Sequence, residues 1–335
     1  MPTFALPPLA DLLASARVVQ LPMRQRFRGV TAREILLFEG PAGWAEWSPF
    51  VEYEDEEAAV WLAAAIEYSQ TEYRAVTDGG TLRHSSVAVN ATLPAVSAER
   101  VAAALEPFGR FETVKIKVAE PGQTLQDDLD RIFAVVRHYP DAKIRLDANG
   151  GYSVDQTVAL ANAMVEAGVK LDYLEQPVAT IAELAEVRIK ANRVGVRVAA
   201  DESVRKVSDP MAVALAGAAD LLVIKAAPLG GIARATSVVL ESGLPAVVSS
   251  ALESSIGISM GVHLAASLPD PQLDSGLGTV ALFERDIVAE PLIAQNGRLP
   301  VKRVAPDADR LVELAASPER TAWWLARLER CYALL

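Results

Sequence analysis

Between Lys115 and Lys225 short apolar runs recur at nearly equal spacing, and each ends on a charged residue followed by turn-forming residues. The runs are Val114-Lys115-Ile116-Lys117-Val118, Ile144-Arg145-Leu146-Asp147, Leu171-Asp172-Tyr173-Leu174-Glu175, Val196-Arg197-Val198-Ala199-Ala200-Asp201 and Leu221-Leu222-Val223-Ile224-Lys225. Successive terminal charges, from Lys117 to Lys225, stand 30, 28, 26 and 24 residues apart. That interval holds one strand, one helix and two loops, the repeating unit of a parallel barrel or a doubly wound sheet. In a closed barrel the active site lies where the strands end. Lys115, Lys117, Asp147, Glu175, Asp201 and Lys225 are therefore expected to ring one pocket.

The flanks extend the pattern. A strand at 86–90 is expected to begin the repeat, with helices at 98–105, 125–137, 154–167, 181–193, 210–216 and 232–241. A seventh strand at 245–250, its helix at 256–266 and a short eighth strand at 272–277 complete it. Leu129, Ile132, Phe133 and Val136 show the helical period. Residues 1–90 read differently: strands at 16–21 and 33–38 joined by an arginine-rich loop at 22–29, a β segment at 43–47, and a helix at 55–69 with an acidic first turn. A meander followed by a helix predicts a separate small α+β domain. The tail carries a β-like segment at 288–293, a hairpin turn at Gln295-Asn296-Gly297-Arg298 and a helix from Pro318. It is expected to return to the N-terminal domain.

At 335 residues, 51% of them hydrophobic, the chain can bury one barrel core plus a smaller unit. A net charge of −11 argues against a nucleic-acid or anionic-membrane partner. Cys331 is the only cysteine, so neither an internal disulfide nor a thiolate metal cluster can form. The start has no basic segment ahead of its apolar stretch, and no run of about 18 apolar residues occurs; a soluble cytoplasmic protein is expected. Lysine is scarce: eight against 24 arginines, and none in the first hundred residues. Yet Lys115, Lys117 and Lys225 sit inside apolar strand-like runs. Arginine holds its proton in a protein, whereas a desolvated lysine can release it.

Three carboxylates sharing a pocket repel, and burying them uncompensated is prohibitive. A neighbouring lysine or arginine ordinarily answers one such carboxylate. Three at matched strand ends, Asp147, Glu175 and Asp201, point instead to a shared divalent cation. Oxygen donors without histidine or thiolate favour Mg²⁺, or Mn²⁺. Asn149 could hydrogen-bond around that ion, and Glu202 could be an alternative ligand or a supporting partner. Lys115 and Lys117 face the same way on one strand; close to each other and to a cation, one becomes a usable base near neutral pH. Lys225 approaches from across the ring. This set suits removal of a proton next to a carboxylate, with the metal holding the resulting dianion. His84, His138 and His263 read as packing or surface residues, and neither a Ser-His-Asp grouping nor a phosphate-cradling Gly-x-Gly-x-x-Gly stands out. The turn Leu229-Gly230-Gly231-Ile232 reads as a glycine-rich loop closing on the pocket.

Lys115-x-Lys117, Asp147-x-Asn149, Glu175-Gln176-Pro177, Asp201-Glu202-Ser203 and the lone Lys225 stand in the order found in the muconate-lactonizing branch of the enolase superfamily, which the chain resembles. Other stretches are similar to bacterial o-succinylbenzoate synthases, the actinobacterial type above all: Pro22-Met23-Arg24 to Arg28-Gly29-Val30, the segment from Gly43-Trp44-Ala45-Glu46-Trp47 to Ser48-Pro49-Phe50, Asn149-Gly150-Gly151-Tyr152, and Ser249-Ser250-Ala251-Leu252-Glu253-Ser254-Ser255. The resemblance covers roughly 15–290. Ala45 replaces the family's glycine in Gly-Trp-Gly-Glu.

This resemblance implies an α/β fold, a (β/α)7β modified TIM barrel over 91–284, under an α+β capping domain built from 1–90 and 285–335. It implies Mg²⁺-dependent dehydration of 2-succinyl-6-hydroxy-2,4-cyclohexadiene-1-carboxylate to 2-succinylbenzoate in menaquinone biosynthesis. By the same resemblance Lys117 is the base that returns its proton to the departing hydroxide. Lys225 stabilises the anion from the other side, and Lys115 touches the enolate oxygen. Asp147, Glu175 and Asp201 hold Mg²⁺, with Arg145, Asn149 and Glu202 supporting them. Ser249, Ser250, Gly276, Arg24 and Phe27 are candidates for the succinyl end. Two opposed lysines also permit two-base exchange, so an N-succinylamino acid racemase or a dipeptide epimerase is the alternative. The segment Leu273-Asp274-Ser275-Gly276-Leu277-Gly278 lacks the Asp-x-Asp that dipeptide epimerases often use for an α-ammonium. The expected partner is a small carboxylate; no nucleic acid, membrane or obligate protein partner is expected.

Overall fold

Alternating apolar and polar residues lay down the first sheet. After a short helix α1 (Leu9–Ser15), the strands β1 (Arg17–Phe27), β2 (Val30–Gly40) and β3 (Gly43–Trp47) pair antiparallel in that order. This computed structural model describes residues 6–27, 29–204, 209–269 and 273–335. Helix α2 (Asp55–Gln70) opens with Asp55, Glu56 and Glu57, whose charge opposes the positive end of the helix dipole. It buries Ala58, Leu62, Ala65 and Ile66 completely, or nearly so, and the Trp47 indole donates to the Ala58 carbonyl at 3.0 Å.

The arginine-rich stretch is a strand, not a loop. Pairing runs from Arg17↔Leu37 to Phe27↔Val30, with one irregularity between Pro22 and Phe27. The unbroken partner strand overrides the turn chemistry of Pro22. Past Pro22 the ribbon lies on a later segment, with Met23 bridging Phe283 and Glu284 donating to the Pro22 carbonyl.

The strand expected at 86–90 is also corrected. Strand β4 (Ser86–Ala88) pairs antiparallel with a tail strand at 298–300, and the parallel series begins at β5 (Ala91–Leu93). Local sequence carries no signal that distinguishes those two partners. The series continues through α3 (Val101–Leu105), β6 (Thr113–Lys117), α4 (Leu125–His138), β7 (Lys143–Asp147), α5 (Val154–Glu166), β8 (Leu171–Glu175) and α6 (Ile181–Asn192). It ends with β9 (Val198–Ala200), α7 (Asp209–Leu215), β10 (Leu221–Ile224), α8 (Ile232–Ser242), β11 (Ala246–Val248) and α9 (Ser255–Ser267). Thr124 with Asp127, Ser153 with Gln156 and Thr180 with Glu183 form reciprocal capping boxes. They fix where α4, α5 and α6 start, and so keep the strand-end loops short.

All seven strands are parallel, in the order β11-β10-β9-β8-β7-β6-β5. Single bridges close the ring, Ser249 to Gly276 and Ser275 to Val89. Among the described residues Ser275 and Gly276 hold the position of an eighth strand; Gln272, expected to begin it, lies outside them. Gly276 leaves room there for the Ser249 hydroxyl, which stands 2.6 Å from where a Cβ would be. The fold is a (β/α)7β modified TIM barrel with an α+β cap.

The chain closes through β12 (Arg298–Pro300), α10 (Ala308–Glu313) and α11 (Pro318–Tyr332). The turn before β12 has Asn296 and Gly297 at φ +51° and +71°, the conformation of a two-residue hairpin. Helix α11 packs on α2 and β1. Its Arg320 and the indole of Trp324 both donate to the Glu34 carboxylate, the latter at 2.8 Å, and Trp324 meets Trp47 edge to face.

Inside the barrel Tyr173, Ala199, Leu221, Val223 and Val247 form a buried cluster of their own, apart from the core between sheet and helices. Glu175, Asp201, Lys225 and Ser249 follow Tyr173, Ala199, Val223 and Val247 by two residues, so they point the same way. The charged ring therefore sits on an apolar plug.

Candidate active site

The register places Lys117 beside Asp147, and Asp147 beside Glu175. Asp201 and Lys225 follow the last residues of β9 and β10. A cavity of about 40 Å³ at the strand ends is lined by Lys115, Asp147, Asn149, Asp201 and Lys225, with Phe27, Thr92, Ser249, Ser250, Gly276 and Thr279 around them.

Ammonium groups lie among the carboxylates. Lys115 Nζ is 2.8 Å from Glu175 Oε1 and 3.4 Å from Asp147 Oδ2, and Lys225 Nζ bonds Asp201. Burial alone would lower the Lys115 pKa, but Glu175 and then Asp147 outweigh it and raise it well above the usual lysine range. Burial also pushes Glu175 up to about 8; Lys115 opposes this, while Asp147 and Asp201 add to it. Among the described residues two ammonium groups lie among the three carboxylates, and the buried Glu175 Oε2 has no hydrogen-bond partner. Among those residues no three acidic, histidine or cysteine side chains already converge as an ion cage. The oxygen donors and the orphaned Glu175 Oε2 nevertheless fit a divalent cation inserted among them.

The supporting residues take distinct places. Arg145 lies beneath the ring, 1% exposed, over the Tyr173 face. A bulge that inserts Asp172 opposite β7 lets that carboxylate accept from Arg145 at 2.8 Å. Asn149, at φ +44°, donates its side-chain amide to Glu202 at 3.0 Å and its backbone N–H to Asp147 at 3.2 Å. The structure thus ties Glu202 to Asn149.

Two residues named from sequence stand outside this cavity. Lys117 borders a neighbouring cavity of about 160 Å³ with Arg26 and Glu120, and Phe27 forms a wall common to both. Among the described residues the Lys117 ammonium makes no hydrogen bond or ion pair, while the backbone carbonyl of Lys117 accepts from Arg131 at 2.9 Å. Arg24 is exposed, donates to the Ala281 carbonyl at 3.2 Å and borders a groove with Arg100 and Pro107. Arg28 lies outside the described residues. The glycine turn at 230–231 does not close on the pocket: it abuts α2, where Glu67 fills the space a Gly231 side chain would need and accepts from the Ala233 N–H.

Sequence reasoning missed Thr92, Thr279 and the role of Gln176. Thr92 is level with Lys115 across β5 and β6, a signal available only once β5 is placed. Thr279 shares a hydrogen bond of 2.8 Å with Ser250, which also donates to the Gly276 carbonyl. Gln176, fully buried at φ +35°, accepts from the backbone N–H groups of Asp201 and Ser203. It stands in Glu175-Gln176-Pro177, a motif already visible in the sequence.

Comparison with known proteins agrees with this architecture. Residues 95–306 match the family described as Enolase C-terminal domain-like, and residues 18–69 match Enolase N-terminal domain-like. The chain is 51% identical to the o-succinylbenzoate synthase of Mycobacterium tuberculosis over 330 residues, 98% of this chain and 97% of that protein. It is 49% identical to the o-succinylbenzoate synthase of Mycobacterium ulcerans over 327 residues, 98% and 96% of the two chains. Among solved structures it is similar to muconate lactonizing enzyme from Pseudomonas fluorescens complexed with muconolactone, with a TM-score of 0.75 and 18% identity over 90% of this chain and 98% of that one. The L-Ala-D/L-Glu epimerase from Bacillus subtilis gives 0.72 and 22% over 87% and 96%. At such identities these two structures speak for the fold alone.

Proposed function

Since this chain belongs to the o-succinylbenzoate synthase family, carbon–oxygen lyases of the enolase superfamily, we propose that it dehydrates 2-succinyl-6-hydroxy-2,4-cyclohexadiene-1-carboxylate to 2-succinylbenzoate, a step of menaquinone biosynthesis. The observation that carries the chemistry is the set of lysines on well-separated strands flanking three carboxylates above an apolar plug.

Lys117 removes the carbon-bound proton and gives it to the departing hydroxide on the same face, so one group serves as base and then acid. That its ammonium has no partner among the described residues suits that role. Lys225 stays protonated opposite and stabilises the negative charge that develops on the substrate carboxylate. Lys115 neutralises part of the carboxylate cluster. Asp147, Glu175 and Asp201 would hold Mg²⁺, which when bound supplies positive charge against the enolised carboxylate. Arg145, Asn149, Glu202 and Gln176 keep these ligands in place, and Ser249, Ser250 and Gly276 form the wall for the succinyl end.

The racemase or epimerase alternative is not favoured. Asp274, the one carboxylate of the last segment, is occupied by the Thr113 hydroxyl at 2.6 Å, at the start of β6 and away from the strand ends. The test is an absorbance assay of aromatisation with the cyclohexadiene substrate, in EDTA and then with added Mg²⁺. Turnover that needs the metal is expected; no turnover with Mg²⁺, or full turnover in EDTA, would overturn the reading.

A further inference from the structure

Glu46 is a barrel-facing residue of the capping domain that the mechanism above leaves unused. It lies on β3, 5% exposed. Its Oε2 accepts from the Ser254 hydroxyl at 2.5 Å, the Ser254 N–H at 3.1 Å and the Gly257 N–H at 3.1 Å, while Oε1 accepts from Ser48 at 2.7 Å. Those backbone groups belong to the first turn of α9 and the residue before it, where N–H groups lack partners within the helix. A carboxylate is well matched to them.

The chain leading into α9 forms the pocket wall. Ser249, Ser250, Ala251 and Leu252 all line the cavity. Leu252 is held at φ +66°, which a branched residue adopts only when its surroundings impose it. A second capping-domain residue meets it there. Arg33, 3% exposed on β2, donates to the Leu252 carbonyl at 3.2 Å and to the Ser48 carbonyl, with its guanidinium over the Phe50 ring. Within the loop Glu253 accepts from the Ala251 N–H at 2.6 Å. Two side chains of one domain thus hold Leu252 and Ser254, two residues apart in a loop belonging to the other.

We propose that Glu46, assisted by Arg33, is a positioning residue through which the capping domain sets the shape of the pocket wall at 249–252, and with it the affinity for the substrate's tail. This rests on the reading of the activity given above. The wall shares the cavity with Asp147, Asp201 and Lys225, but none of its residues is among the proposed metal ligands or bases, so the effect is expected on binding of the tail more than on the chemical step.

The test compares Glu46→Ala and Glu46→Gln in the full-length Mg²⁺-loaded enzyme, by steady-state kinetics and by amide hydrogen exchange over 249–257. Glu46→Ala is expected to raise KM about tenfold, ~1.4 kcal/mol, with kcat within about threefold of wild type, and to speed exchange in 251–257. Glu46→Gln keeps the shape and an acceptor oxygen and is expected to restore both. Should Glu46→Ala fail to fold, Ser254→Ala removes a partner hydroxyl from the other side and is expected to shift KM and exchange the same way by a smaller factor. Wild-type KM and exchange in the variant that folds, or a fall in kcat at constant KM, would overturn the proposal. A wild-type protein without turnover would instead overturn the activity, and the exchange comparison would still decide the coupling.

Discussion

Lys117 and Lys225 carry the same ammonium group into different surroundings. Lys225 is 8% exposed and paired with Asp201, whereas Lys117 borders a neighbouring cavity that shares Phe27 with the first. Elimination on one face needs a single base, while racemisation needs two. Lys117→Ala is therefore expected to abolish both solvent exchange of the substrate proton and dehydration. Lys225→Arg keeps the charge without a usable base, so it should lose about 10²–10³ in kcat yet keep measurable dehydration and no racemase activity. If Lys117→Arg proves the more active dehydratase of the two, the roles are reversed. Glu175→Gln tests the metal set. With its orphaned Oε2 replaced or rotated away, Mg²⁺ affinity measured by titration calorimetry should fall at least about tenfold while circular dichroism stays unchanged. Unaltered affinity would exclude Glu175 as a ligand.

Single elements decide which side chains reach the pocket. On the β1–β2 ribbon Phe27 lines the cavity, but Arg24, three residues earlier, bonds Ala281 outside it. Phe27→Ala should accordingly raise KM, whereas Arg24→Ala should leave KM within about twofold, since exposed single contacts contribute little. A large Arg24 effect would mean the ribbon moves when substrate binds. At the start of α8, Gly231 has φ +118° and a Cβ there would fall 1.6 Å from Glu67 Oε2. Gly231→Ala should destabilise the fold by about 2 kcal/mol or more in a denaturant titration, yet leave kcat near wild type, because this turn meets the capping helix and not the cavity.

Across the whole molecule the two ends of the chain pack together, α11 on α2 and β1, and buried acids tie β3 and the tail to the approach to α9. Burial pushes Glu46 up to about 7, with the Glu253 carboxylate adding to the effect and Ser254, Ser48 and Arg33 opposing it. Glu253 and Asp286, which also meet the approach to α9, are raised by burial as well. In the folded protein Glu46 holds its proton more tightly than the ordinary 4.5. Its contribution to stability is thus fully present below about 4.5 and is lost as pH rises through about 7. The change is of order 3 kcal/mol for a shift of this size. Glu46→Gln carries no such proton, so its Tm relative to wild type should rise between pH 5 and pH 8. A pH-independent difference would show that Glu46 titrates normally.

Much of the barrel was legible in the sequence because its signals are local. Apolar runs, capping boxes and the βα interval identify the parallel strands, and alternation along a strand decides that Glu175, Asp201 and Lys225 share the face of Tyr173, Ala199 and Val223. The placement of Lys115 against Glu175 follows from the same parity. What remained hidden depends on partners far away in the chain. Whether 86–88 joins the barrel or the tail strand is decided by pairing with Arg298–Pro300. Whether 22–27 is loop or strand is decided by β2 and by the bridge to Phe283. The Phe27 wall shared by the cavities that Lys225 and Lys117 border, and the reach of Glu46 to Ser254 across 208 residues, exist only once the two domains dock. Strand parity follows from the bonds of the chain itself, whereas partner choice depends on which burial and hydrogen bonds the whole fold can satisfy together.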